Sequence, residues 1–255
     1  MIFTDTHAHV FVEEFKIDFE DCFNRSIQNN VQRVFVPNID ENTIESLKNI
    51  CNKYSSNYFP MMDLHPCSVS QNLQKQLQVI YDELITQKYY AIGEVGLDLY
   101  WDKSTLELQK KAFIEQAKWA INHNLPVSIH SREATEEIIK IIKTEKLEEL
   151  RGIFHCFSGN EQQAKTVINM GFYLGIGGTI TYKKSTLPEV IFSIGIDKTV
   201  LETDSPYLPP IPHRGKRNET SYIPLIAQKL AEITGLTNEE VAEITTNNSK
   251  KIFGI

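Results

Sequence analysis

Short apolar runs rich in β-branched and aromatic residues recur along the chain, each followed by a turn and a stretch of helical periodicity. These runs predict strands at Ile2–Thr6, Arg33–Val36, Tyr58–Asp63, Ala91–Glu94, Val127–His130, Gly152–His155, Phe172–Gly175 and Val200–Asp204. Between them, Leu73, Leu77, Ile80 and Leu84 share one helical face, as do Leu106, Phe113, Ala117 and Ile121. Ser104 followed by Glu107 matches a capping box for the second of these helices, and Pro126 ends it. Alternating strands and helices predict βαβ units with right-handed crossovers around a parallel sheet. Eight such units suit a closed TIM (β/α)8 barrel better than an open doubly wound sheet. Residues 7–12 also lack the glycine-rich dinucleotide loop that would favour the open form. Residues 205–219 carry four prolines and no apolar period, so a long, stiff loop follows the eighth strand. Two extra C-terminal helices come next, with Leu225, Leu230 and Ile233 on one and Val241, Ile244 and Ile252 on the other.

A length of 255 residues allows one large α/β barrel or two ordinary domains, and the unbroken series of units predicts a single domain over 1–255. With 41% hydrophobic and 23% charged residues, the chain has ample material for a core, which excludes disorder and low-complexity scaffolds. No apolar run approaches the roughly 20 residues of a membrane helix. The first residues show no export signal, which predicts a cytoplasmic protein. Cys22, Cys51, Cys67 and Cys156 are widely spaced and read as reduced thiols. The net charge of −7 would repel a polyanion, so a nucleic-acid partner would have to be held by local positive features.

Five of the seven histidines fall at or just past predicted strand ends: His7, His9, His65, His130 and His155. In a parallel barrel those ends meet on the face where barrel enzymes keep their chemistry. His7 and His9 are two residues apart, so on extended backbone both point one way and can grip one cation. Asp5 could accept an imidazole N–H from beneath them. Glu94 and Asp204 end strands that otherwise bury apolar residues, where a carboxylate needs a salt bridge or a metal. Four imidazoles and two carboxylates suit Zn²⁺, Mn²⁺ or Mg²⁺. Two divalent ions would leave the site with about +2 charge, fit for a phosphodiester and an activated water.

Six ordered motifs resemble the TatD-type metal-dependent deoxyribonucleases of the metallohydrolase barrel superfamily over essentially the whole chain. They are Asp5-Thr6-His7-Ala8-His9, the stretch Gly93 to Asp98, the stretch Leu125 to Ala134, His155 to Gly159, Glu202 to Leu208, and Arg214 to Glu219. The resemblance implies two divalent metal ions, one held by His7, His9, Glu94 and Asp204 and the other by Glu94, His130 and His155. Glu94 would bridge them, and Asp204 would orient the water or accept its proton. It further implies hydrolysis of phosphodiester bonds at DNA ends, as a 3′-to-5′ exonuclease, with RNA as a second candidate substrate. One departure is Asp63 where the family often has glycine; it shares a strand face with His65 and could orient that ring, and His65 is expected to contact substrate or to stand behind the ligands rather than to bind metal itself.

Arg132 follows His130 closely and can meet a phosphate or pair with a neighbouring glutamate. The densest basic cluster is His213, Arg214, Lys216 and Arg217, so Arg214 and Arg217 are candidate phosphate contacts. Tyr100, Trp101 and Tyr207 near the mouth either pack or stack on a terminal base. Gly175 to Thr179 would allow close backbone approach or a tight turn. Cys156, beside His155, faces away from it and is not expected to act as a nucleophile. DNA is the expected partner, and the sequence identifies no obligate protein partner. The same metal centre could instead hydrolyse an ester or amide, or serve a non-catalytic binding surface.

Overall fold

A computed structural model describing residues 1–255 alternates eight strands with helices in the expected order. These elements are β1 (Phe3–Asp5), α1 (Phe19–Gln28), β2 (Val31–Pro37), α2 (Ile44–Lys53), β3 (Tyr58–Met61) and α3 (Leu73–Leu84). They continue with β4 (Ile92–Gly96), α4 (Leu106–Asn122), β5 (Val127–His130), α5 (Thr135–Thr144), β6 (Gly152–Phe154) and α6 (Glu161–Asn169). Last come β7 (Tyr173–Ile176), α7 (Leu187–Ile194), β8 (Thr199–Leu201), α8 (Ile223–Thr234) and α9 (Asn238–Phe253). Every strand pair is parallel, β1 to β3 in one run and β4 to β8 in another. Backbone hydrogen bonds close both seams into a barrel. At one seam Tyr90 donates to Pro60 O (2.9 Å) and Met62 to Ala91 O (3.1 Å). At the other, Thr6 donates to Leu201 O (2.9 Å), Asp204 to His7 O (2.9 Å) and His9 to Ser205 O (2.8 Å).

Helix faces fall where the periodicity puts them: Leu73, Leu77, Ile80 and Leu84 are all buried. Two local expectations fail. Helix α4 begins at Leu106 with no side-chain cap, because Ser104 bonds to Asp102 instead (2.6 Å). The strand expected over Val200–Asp204 ends at Leu201, and Asp204 turns out of it with φ of +56°, a conformation Asp tolerates better than most residues. Helix α9 covers the strand starts, with Asn248 donating to Thr199 O (2.8 Å) and Phe253 stacked on Phe35. The apolar plug lies at one end of the barrel, leaving the other end for polar residues.

The 205–219 loop is tied down by charge. Arg217 forms a bidentate pair with Asp18 of the α1 cap (both 2.7 Å), and Arg25 of α1 forms one with Glu219 (2.8 and 2.6 Å). Asn218, fully buried, donates to Thr203 O and Tyr207 O. Arg217 is therefore a brace for this loop rather than the phosphate contact expected of it. Burial would push the Glu219 carboxyl up, but Arg25 and Ser221 outweigh it and hold the group below the usual carboxylate range. Such a group stabilises the fold above its unfolded pKa and stops doing so as pH falls through its folded value. Glu219→Gln should thus cost about 2–3 kcal/mol at neutral pH. Urea unfolding should show the gap to the parent narrowing below about pH 4, and a gap that stays constant would contradict this assignment.

Candidate metal centre

Glu94, near the middle of β4, is the hub of the polar end, with only 2% of its surface exposed. Its Oε2 lies 3.1 Å from His7 Nε2, 3.5 Å from His9 Nε2 and 3.5 Å from His65 Nε2. Its Oε1 lies 3.0 Å from His155 Nε2 and contacts His130 Nδ1. Asp204 approaches from the seam, with Oδ1 3.8 Å from His9 Nε2 and 4.0 Å from His7 Nε2. All six residues expected to hold metal, together with His65, therefore converge. No lysine or arginine comes within ion-pair distance of either carboxylate, which removes the salt-bridge reading.

Most of the rings are aimed from behind. His7 Nδ1 meets Ser128 Oγ (3.1 Å), His130 Nε2 meets Asp98 Oδ2 (2.8 Å), and His65 Nδ1 accepts from Cys67 N (3.1 Å). His155 Nδ1 lies 3.2 Å from Glu202 Oε1, close enough for charge attraction but not aligned as a hydrogen bond. Asp98 and Glu202 are buried carboxylates that sequence reasoning did not assign. Asp5 departs from its expected role. It accepts from Thr203 N and Oγ1 and from the His7 backbone, so it fixes the seam rather than a ring N–H. Two glycines make room here without left-handed backbone: a Cβ at Gly175 would meet Glu202 Oε2 at 2.2 Å, and one at Gly178 would meet Leu208 O at 2.3 Å.

The electrostatics follow from crowding. Burial would push Glu94 up, but the imidazoles around it, His155 and His65 foremost, hold it well below the usual range. Burial pushes His7 well below the usual imidazole value, aided by neighbouring His155. A neutral His7 presents a lone pair. His7 Nε2 and His9 Nε2 face each other at 3.3 Å, and two lone pairs cannot meet there without a proton or a cation between them. The N and O donors fit a hard-to-borderline divalent cation. Three ligand triads gather here: His7–His9–Glu94, His7–His155–Asp204 and His65–Glu94–His130. The last brings His65 within reach of Glu94 and His130. Asp63 is fully buried with no hydrogen bond to either carboxylate oxygen, and it does not orient the His65 ring. Burial pushes the Cys156 thiol far up, consistent with an inert group.

Of the expected substrate contacts, Arg132 and Arg214 are exposed. The Arg132 guanidinium lies 3.8 Å above the Tyr100 ring and that of Arg214 lies 4.4 Å above Tyr182. Neither pairs with a carboxylate. The Tyr207 ring sits 6.2 Å from His9, half exposed.

A family model described as TatD related DNase matches residues 4–254. The chain is 40% identical to an uncharacterized metal-dependent hydrolase, YabD, of Bacillus subtilis (strain 168), over 98% of both chains. It is 30% identical to the solved structure of YjjV, a TatD homologue from Escherichia coli K12, with a TM-score of 0.90 over 99% of this chain and 98% of that one. A TatD family hydrolase from Entamoeba histolytica, 21% identical with a TM-score of 0.83 over 99% and 98%, shares the fold.

Proposed function

This chain belongs to the TatD related DNase family, and from that premise we propose that it is a divalent-metal-dependent hydrolase of phosphodiester bonds at DNA ends. The observation that carries the reading is the buried Glu94 carboxylate, faced by five imidazole nitrogens with no lysine or arginine to balance it. His7, His9, Glu94 and Asp204 would hold one ion, and Glu94, His130 and His155 the other. Bound divalent ions would acidify water and neutralise phosphate oxygens. Asp204 receives no hydrogen bond from a protein side chain, which leaves its carboxylate free to accept the proton lost by the attacking water. Asp98 and Ser128 hold the His130 and His7 rings so that their inner nitrogens stay aimed at Glu94. Arg132 and Arg214 offer unpaired guanidinium groups to the phosphate backbone. The overall charge of −7 does not oppose this, because positive charge is needed only at the mouth.

Two measurements test the proposal. Chelation should abolish cleavage of single-stranded DNA, and re-addition of Mg²⁺, Mn²⁺ or Zn²⁺ should restore it. Assays on duplex DNA, RNA, aminoacyl esters and amides should show little turnover of the aminoacyl and amide substrates. A metal-replete protein that cleaves acyl esters and leaves every nucleic acid intact would sink the phosphodiester reading.

A further inference from the structure

Among the cavities, charged clusters and exposed apolar residues away from the histidines, one group is tied directly to them. Tyr100 and Trp101 follow β4 with 51% and 69% of their surfaces exposed, two adjacent rings left uncovered together. Their rings meet edge to face, 5.0 Å apart at 88°, and Arg132 from the turn after β5 lies 3.8 Å over one and 5.3 Å from the other. This corner is anchored. Asp98 Oδ1 accepts from both Tyr100 N and Trp101 N at 2.8 Å, while its Oδ2 faces His130 Nε2 at 2.8 Å. Leu99 N donates to Arg132 O (3.0 Å), and Gln109 of α4 holds Asp98 N (2.9 Å) and the Asp102 carbonyl (3.2 Å). One buried carboxylate thus fixes both an exposed aromatic corner and a ring of the candidate metal centre.

We propose that Tyr100, Trp101 and Arg132 form a platform on which the unpaired base of a terminal nucleotide stacks while its phosphate lies at the metal centre. This inference rests on the phosphodiesterase reading for the identity of the occupant. The exposed indole offers a flat π-face as wide as a nucleobase, and the Arg132 guanidinium has no carboxylate partner, so its charge can meet the adjoining phosphate. A base inside a duplex already stacks on its neighbours and would have to leave them first, which sets a cost that a single-stranded end avoids. The platform therefore selects for frayed or single-stranded ends without reading sequence. Apolar contact with another protein or a second copy of this chain is less well matched, because the stacked guanidinium would be covered without a partner carboxylate.

Fluorescence can test this independently of turnover. The chain has two tryptophans, and Trp119 is 7% exposed with its Nε1 bonded to Glu115, so an added ligand reaches only Trp101. A short single-stranded oligonucleotide with phosphorothioate linkages, titrated into the metal-replete protein, should quench the Trp101 emission. An equally long oligonucleotide with abasic terminal nucleotides should bind about tenfold more weakly and leave that emission unquenched. Trp101→Ala should bind both oligonucleotides equally, while Trp101→Phe should restore most of the preference. Trp101 is exposed, so neither change should disturb the fold, as circular dichroism would verify. Equal binding of both oligonucleotides by the parent, or a tenfold preference surviving in Trp101→Ala, would overturn the platform. So would a concentration-dependent dimer that Trp101→Ala dissociates without altering oligonucleotide affinity. Base-dependent quenching without any phosphodiester hydrolysis would support the platform and remove the nuclease reading instead.

Discussion

Glu94→Gln is expected to lower metal-dependent hydrolysis by about 10³-fold or more while leaving the circular dichroism spectrum unchanged. The substitution keeps the side-chain volume, so the buried pocket stays filled, but it removes the one charge on which five imidazoles converge. Two effects follow. A neutral amide is a poor ligand for a hard cation and cannot bridge two of them, so metal content should fall. The second concerns stability: a ligand that binds only the folded state raises its melting temperature. The parent should therefore melt at higher temperature as Mn²⁺ or Zn²⁺ is added, and Glu94→Gln should barely respond. Retention of full metal content with activity within about tenfold of the parent would remove Glu94 from the centre of the mechanism.

Asp204→Asn is expected to behave differently, losing about 10²- to 10³-fold in kcat with little change in KM. Asparagine, like aspartate, accepts the left-handed backbone that residue 204 adopts, so the seam should remain intact. What disappears is a carboxylate that receives no side-chain hydrogen bond and stands 3.8 Å from His9. The imidazole ligands and Glu94 are untouched, so part of the metal should stay. Comparing metal content with kcat in the two variants separates a residue that mainly holds metal from one that mainly moves a proton. Equal loss of metal in both would assign Asp204 to ligation alone.

How far the site was legible depends on how local each signal is. The β5 strand was expected over the residues it occupies, Val127–His130, because a short apolar run bounded by proline leaves little choice. The histidines were readable for the same reason: an ionisable residue at the end of a buried strand stands out from its neighbours. Glu94 was legible through its placement in an otherwise uncharged run. Asp98 and Glu202 were not, since each acts on a histidine of another strand, and nothing in Leu97-Asp98-Leu99 distinguishes that carboxylate from an ordinary turn residue. Arg217 misled for a related reason. It stands in a basic cluster along the chain, but its partner Asp18 lies 199 residues earlier and only the folded barrel brings them together. Ser104 carried the right spacing for a cap, and competition from Asp102 two residues away decided the outcome. Local pattern gave the elements and the rings; long-range pairing decided which charges remain free.

The seam between β1 and β8 has a consequence for how the activity comes into being. Asp5 and Thr203 are bonded across 198 residues of sequence, and His7 and Asp204 are bonded through the backbone beside them. Closing a loop over such a separation costs more chain entropy than forming the local βα units. A chain halted before β8 would carry His7, His9, Glu94, His130 and His155, yet the strand that closes the ring and brings Asp204 would be missing. Hydrolytic competence is then a report that synthesis has passed the last strand and the barrel has shut. A cell making this protein would be spared a half-built hydrolase at every ribosome, with no separate inhibitor required.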